Sequence, residues 1–324
     1  LESVDADDVA APELHGRQTA LALSEMVGHP ADRPCEGGKM SGVSRRQVVM
    51  GLAALGLSGC ASAPPRRVEA PASYAPAVIA RRKATTGPVS NPSDVGLDGV
   101  IDLNHHSSIM DFGMARQYGG LKAVIHKASE GNDWFDPLYA QRRVMAEEAG
   151  LLWGGYHFGT RMHSGAEQAR AFLAAAQPGP QTLLVLDLEL NERVPTNSMT
   201  LPQAEEFAAT VMAVTGRLPL LYVQPAWADG ETHRRTGQSL CGAIAPGSLL
   251  SGCDLWLADY RMEPELPAAW AGRGWRFWQY AGDNGAGGSG PFGPLSRAMP
   301  GVDRCDRNVF SGDETGLGRY WARS

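Results

Sequence analysis

Asp187 and Glu189 interrupt an apolar run, Leu183-Leu184-Val185-Leu186, so that acid and leucine alternate through Leu190. On a β-strand, residues i and i+2 project from one face, about 6.6 Å apart along the chain. Two carboxylates held that close in apolar company resist joint ionisation, so burial and like charge push one pKa upward. A carboxyl that keeps its proton near neutral pH is what general acid catalysis requires. The plainer alternative is a pair of solvated acids at a strand end. Similar apolar runs end in further reactive or flat side chains. Asp102 ends one, Lys127 another and Tyr156 lies near the end of a third. Asp259 follows a fourth, Trp278 and Tyr280 end a fifth, and Asp306 precedes the last. Acids beside aromatic faces suit a cleft that binds sugars.

The elements that must position these residues are legible as a repeating pattern. Short β-like runs fall at 99–103, 123–127, 152–158, 182–190, 218–223, 255–258, 276–280 and 307–310. Several are almost wholly apolar, as parallel strands covered on both faces are. Helical punctuation lies between them. Asp136 with Pro137 can open a helix that Gly150 stops. Ser164 and Glu167 form a capping box ahead of Ala166, and Thr200 with Pro202 and Gln203 opens a third helix that ends at Gly216. The pattern predicts an irregular parallel (β/α) barrel with fewer helices than strands, its reactive residues at the carboxyl ends of the strands. A doubly wound sheet competes less well, because no Gly-x-Gly-x-x-Gly or Walker loop follows any strand.

Ahead of residue 98 the character changes. Residues 1–39 are polar and aperiodic, with no Met before Met26. Translation is expected to start at Met40, which makes 1–39 a non-native or disordered extension. Residues 40–60 read as a signal peptide: the Arg45-Arg46 pair, an apolar stretch too short to span a membrane, then Leu57-Ser58-Gly59-Cys60. This order resembles the signals of bacterial lipoproteins, whose Cys is lipidated, here Cys60. The predicted location is the periplasmic face of the outer membrane, since Ala61 follows Cys60 where Asp would favour the inner one. Residues 61–97, rich in Pro, Ala and Arg, read as a disordered tether, and 98–316 as the globular domain. Among the later cysteines Cys241–Cys253 is the nearest pair for a bridge, with three reduced thiols (Cys241, Cys253, Cys305) as the alternative.

From Asp98 to Gly312 the chain resembles family 25 of the glycoside hydrolases, the bacterial and phage-type muramidases. The likeness runs in order through Gly99-Val100-Ile101-Asp102, His126-Lys127-Ala128-Ser129-Glu130-Gly131, Gly155-Tyr156-His157-Phe158 and Asp187-Leu188-Glu189. It continues through Trp256-Leu257-Ala258-Asp259-Tyr260, Phe277-Trp278-Gln279-Tyr280 and Asp306-Arg307-Asn308. The resemblance implies an eight-stranded barrel and hydrolysis of the β-1,4 bond between N-acetylmuramic acid and N-acetylglucosamine in peptidoglycan. It implies Glu189 as acid/base, the substrate's acetamido group as nucleophile and Asp187 as its orienting partner. Asp102 and Asp306 would position and polarise, with Tyr156 near the acetamido group. Lys127, Asp259, Trp278 and Tyr280 would line the cleft. The first loop departs from the family pattern: Asn104 stands where a Ser is usual, followed by His105 and His106. Residues 283–299 form a Gly-rich insertion.

Bulk properties exclude some classes. A net charge of −6 without a block of basic residues argues against nucleic acid as a partner. No apolar run reaches the roughly 18 residues of a membrane-spanning helix. No Cys-x-x-Cys or His-Glu-x-x-His spacing points to zinc, and no cofactor is expected. Two rivals remain in view. One is a peptidoglycan-binding lipoprotein without activity; the other is a chitinase-like hydrolase of N-acetylglucosamine polymers, against which the apolar Leu183 and Val185 weigh. A metal-dependent deacetylase is more distant.

Overall fold

The computed structural model describes residues 82–282, 289–294, 298–303 and 305–323. The expected leader, the Cys60 lipidation site and most of the expected tether lie outside them.

Eight strands close into a barrel. They are β1 (Leu97–Leu103), β2 (Ala123–Glu130), β3 (Leu152–Phe158), β4 (Leu183–Asp187), β5 (Leu220–Val223), β6 (Leu255–Ala258), β7 (Phe277–Ala281) and β8 (Asp306–Phe310). β1 to β7 follow one another in parallel around the ring, and β8 closes it between β7 and β1. β8 runs antiparallel to both neighbours. A parallel eighth strand would need a return segment down the outside of the barrel. β8 instead begins at the carboxyl end of β7 and runs back along it. Its first residue, Asp306, then lies at the barrel end where the other strands finish.

Alternation along the strands produces two apolar layers. Val100, Ile125, Val185, Tyr222, Trp256, Phe277 and Phe310 fill the barrel interior. Their sequence neighbours Ile101, Val124, Leu184, Leu186, Leu221, Leu257 and Val309 face outward into the helices and loops. Burial on both sides explains why these runs carry no polar alternation.

Seven α-helices occur among the described residues, fewer than the strands. α1 (Phe112–Gly119), α2 (Tyr139–Glu148), α3 (Gly165–Ala176) and α4 (Leu201–Thr215) lie on the first half of the barrel. α5 (Pro225–Ala228) and α6 (Leu249–Gly252) are single turns, so the second half is clad mainly by irregular chain. Both predicted capping boxes form, at Ser164/Glu167 and Thr200/Gln203. α4 ends on Gly216 at φ 73°, a left-handed position where glycine carries no Cβ penalty. α2 begins later than Pro137, and Asp136 accepts from the Leu138 N–H ahead of the helix. α7 (Glu314–Trp321) plugs the amino end of the barrel, burying Leu317 and Trp321 against the interior layer.

Two boundaries differ from expectation. Residues 82–97 are packed rather than tethering: Arg82–Lys83 pair with Glu265–Leu266, and Val89 and Pro92 are buried. The Ala84 carbonyl accepts from Trp275 Nε1 at 3.2 Å. Short polar or Pro-rich stretches can be ordered by pairing with a loop edge, which composition does not encode. At the other end the domain runs past 316, because α7 closes the barrel floor. The cysteine expectation also fails. Cys241 is disulfide-bonded, but Cys253 and Cys305 are buried thiols, so Cys241–Cys253 is not the bridge. Proximity in sequence was a poor guide to pairing.

Candidate active site

The carboxyl end of the barrel gathers four acids from distant parts of the chain. Asp187 ends β4, Leu188 packs into the outward layer, and Glu189, just beyond the strand, lies close enough to act on Asp187. Asp102 lies near the end of β1, and Asp306 is its direct cross-strand partner on β8. Asp187 stands in register with Phe158 on β3 and Tyr222 on β5.

Electrostatic coupling ties the four together. Burial, then the charge of Glu189, raises the Asp187 carboxyl well above its ordinary value; Lys127 opposes this. Burial, then Glu192 and Asp306, raises Glu189 to about 7, and Lys127 again opposes. Asp102 is raised well above the usual range by burial and by Asp306. A cluster of this kind holds fewer negative charges than carboxyl groups at neutral pH, and its protons belong to the group rather than to single residues. Glu189 is half-buried, so its proton is within reach of a ligand. Asp187 Oδ1 is buried and has no hydrogen-bond partner. A buried acceptor left unpaired costs about 1–3 kcal/mol, a cost that a donor on a bound ligand would relieve.

Lys127 and Tyr156 project into the same space. Lys127 Nζ contacts Glu130 Oε2 at 2.6 Å and lies 4.9 Å from the ring centres of both Trp134 and Phe158. Burial first, then Asp187, Asp102, Asp306 and Glu189, pushes the Tyr156 phenol well above its normal range. The phenol therefore stays a neutral hydrogen-bond donor beside the acids.

Three predicted cleft residues are placed elsewhere. Trp278 and Tyr280 are fully buried in the outward layer, with Phe292 packed 5.7 Å and 5.5 Å from their rings. Trp278 Nε1 donates to the Asp259 carbonyl at 2.5 Å, and the Tyr280 hydroxyl donates to Asp98 at 2.9 Å. The Asp259 carboxylate is occupied by Arg261 at 2.6 Å and by the Glu265 N–H at 2.9 Å, which orders the loop after β6. The intervening residues point inward instead. Gln279 Nε2 donates to both Asp102 oxygens, at 2.6 and 2.8 Å. Gln279 Oε1 accepts from the hydroxyls of Tyr222 and Tyr260, both at 2.8 Å. Two tyrosine donors thus fix the amide so that its nitrogen faces Asp102. Gln279, Tyr222 and Tyr260 were missed because aromatic type was weighed above strand parity. A lone Gln in the run Phe277–Ala281, two residues from the inward Phe277, was the available signal.

Among the described residues, no cluster of three or more His, Cys, Asp or Glu is arranged to hold a metal ion. The arrangement offers a protonated carboxyl, an unpaired buried acceptor, a neutral phenol and a braced carboxylate around one opening. That set can transfer a proton and offset a developing positive charge.

Comparison with known proteins agrees with this geometry. Residues 101–289 match the model of Glycosyl hydrolases family 25. The chain is 25% identical over 187 residues to the uncharacterised protein YegX of Escherichia coli K12, covering 56% of this chain and 58% of that protein. It is 27% identical over 206 residues to lysozyme M1 of Streptomyces globisporus, covering 59% and 64%. The chain thus spans less than two thirds of the length of these relatives. The structure of a muramidase from Acremonium alcalophilum superposes with a TM-score of 0.53 at 26% identity, covering 70% of this chain and 99% of that one. With its barrel and a family match over more than half of its length, this chain belongs to family 25 of the glycosyl hydrolases.

Proposed function

We propose that this protein is a lysozyme-type muramidase, hydrolysing the β-1,4 bond between N-acetylmuramic acid and N-acetylglucosamine in peptidoglycan. The carrying observation is the pair of Asp187 and Glu189: one buried oxygen without a partner, and one accessible carboxyl raised to about 7. Glu189 gives its proton to the glycosidic oxygen as the C1–O bond breaks. The acetamido carbonyl oxygen of the same muramyl residue attacks C1 and forms a cyclic oxazolinium ion. Asp187 accepts the acetamido N–H and offsets the positive charge. Water, losing its proton to Glu189, then attacks C1, restoring the acetamide and the acid. Such substrate assistance needs no enzymic nucleophile and is an exception to the usual two-carboxylate scheme. Tyr156 donates toward the acetamido group, Asp102 and Asp306 position the sugar, and Lys127 limits how far the pKa values of the pair are raised. A chitinase-like reading is disfavoured by Leu183 and Val185, both buried in the barrel interior where such enzymes carry acids. Digestion of purified peptidoglycan should release fragments whose new reducing end is N-acetylmuramic acid. Mass spectrometry of borohydride-reduced products would show this; a reducing N-acetylglucosamine end, or no release, would reject the assignment.

We further propose export and lipid anchoring at Cys60, with the enzyme held on the periplasmic face of the outer membrane. The support is the order of arginine pair, apolar stretch and Leu57-Ser58-Gly59-Cys60. Cells fed an alkyne fatty acid should label the full-length wild-type protein and not Cys60→Ser, and the variant should leave the outer-membrane fraction. An unlabelled wild type would defeat the anchor, and labelled protein confined to the inner membrane would defeat the location.

A further inference from the structure

The loop after β1 departs from the family pattern at Asn104, which His105 and His106 follow, and the fold holds that loop firmly. His105 is bound twice to the buried Asp136 Oδ2, through its backbone N–H at 2.9 Å and its ring Nδ1 at 3.1 Å. Arg142, itself buried, donates to the carbonyls of Asn104 and Ser107 at 2.7 and 2.5 Å from beneath. The Asn104 side chain accepts from the His106 N–H at 2.9 Å, completing a local turn. The loop's ordering entropy is thus met within the protein, which is the condition for a binding surface that loses little freedom on contact.

This braced loop presents rings and donors. The His106 ring lies 3.8 Å from that of His105, and His105 lies 5.3 Å from Trp134. Trp134 in turn covers Lys127, so the platform adjoins the acids of the active site. His106 and Arg193 are exposed, and neither side chain has a hydrogen-bond or ion-pair partner. Partial burial, then His105 and Arg193, lower the His106 pKa; Asp136 pulls the other way, and Lys127 adds a smaller push. Asp136 is already committed to His105 and Leu138 and is not free to pair with His106 or Arg193. The deep site is acidic and the adjoining rim is donor-rich. A neutral sugar polymer would gain little from such a rim, whereas a carboxylate beside the sugar would receive charge-assisted hydrogen bonds.

We propose that His105, His106 and Arg193 form a subsite for a carboxylate carried by the muramyl residue of the substrate. Two sources share that chemistry: the lactyl group where the peptide has been removed, and the free carboxylates of an attached peptide stem. The subsite makes charge on the glycan's substituents, as well as its sugars, a determinant of binding. The proposal rests on the muramidase reading above.

The test compares four substrates by reducing-end release: peptidoglycan with stems, glycan stripped of stems, and each of these with its carboxylates converted to neutral amides. The wild-type enzyme should show a KM about tenfold higher on amidated than on untreated material, with kcat changed less than twofold. In the His106→Ala/Arg193→Ala double variant that tenfold ratio should fall toward one. Loss of the ratio on stem-bearing material alone assigns the subsite to the stem, and loss on stripped glycan alone assigns it to the lactyl group. Equal wild-type KM on charged and amidated glycan, or an unaltered ratio in the variant, overturns the subsite. These results are separable from the underlying reading, which fails only if the wild type releases no muramyl reducing ends.

Discussion

Glu189→Gln should lower kcat/KM on peptidoglycan by about 10³-fold or more, within the range or slightly beyond that expected for loss of a general acid and base. The amide keeps the shape of the carboxyl but can neither give up a proton to the leaving oxygen nor take one from water. Because the working form of Glu189 is the protonated one, wild-type activity should fall about tenfold per pH unit above its pKa of about 7. The residual activity of the variant should lack that limb. Stability follows the same group in a defined direction. A carboxyl whose folded pKa is raised contributes fully below its unfolded value near 4.5, and loses that contribution as pH rises through about 7. The wild type should therefore melt at a lower temperature at pH 8 than at pH 5. Glu189→Gln should narrow the difference and melt above the wild type at pH 8. Activity within a few-fold of wild type would remove Glu189 from its role. A Tm difference between the two pH values that Glu189→Gln leaves untouched would contradict the buried, raised carboxyl.

Asp187→Asn should cost about 10²–10³-fold in kcat with a smaller change in KM, the scale of losing one preorganised electrostatic group. The substitution preserves volume in a buried position, so the strand should remain in register. It replaces the unpaired Oδ1 acceptor and its charge by a neutral amide, which no longer offsets the positive oxazolinium ion. A second signature separates this from mere disruption. Burial, Glu192 and Asp306 hold the Glu189 pKa up, so the alkaline limb near pH 7 should persist in the variant at the lower kcat. Full kcat would mean that Asp187 is a bystander, and loss of the limb would mean that the substitution has disturbed Glu189 itself.

The two acids were legible because their chemistry is written locally. A charged residue inside an apolar strand is conspicuous, and i to i+2 spacing predicts that both share a side. Parity was equally available at Gln279, yet Trp278 and Tyr280 drew attention by size. Their neighbours Phe277 and Gln279 occupy the inward register, and the aromatic pair faces the outer layer under Phe292. Asp259 and Tyr260 repeat the lesson: the acid orders its own loop through Arg261, while the phenol reaches Gln279. Residues 82–97 went unread because pairing with Glu265–Leu266 involves a partner about 180 positions away.

From its residues alone the chain specified its strand runs, its capped helices, the Asp187/Glu189 pair and the family to which they belong. These depend on periodicity, cap chemistry and spacing within a few residues, all of which are local. Only the closed barrel decided the rest. It reversed β8, set Asp306 opposite Asp102, aimed Gln279 at that carboxylate between two tyrosines, and fixed which cysteines stay thiols. Each of these depends on which distant segments become neighbours, and that choice is made by the energy of burying both faces of a sheet at once, a quantity summed over the whole fold.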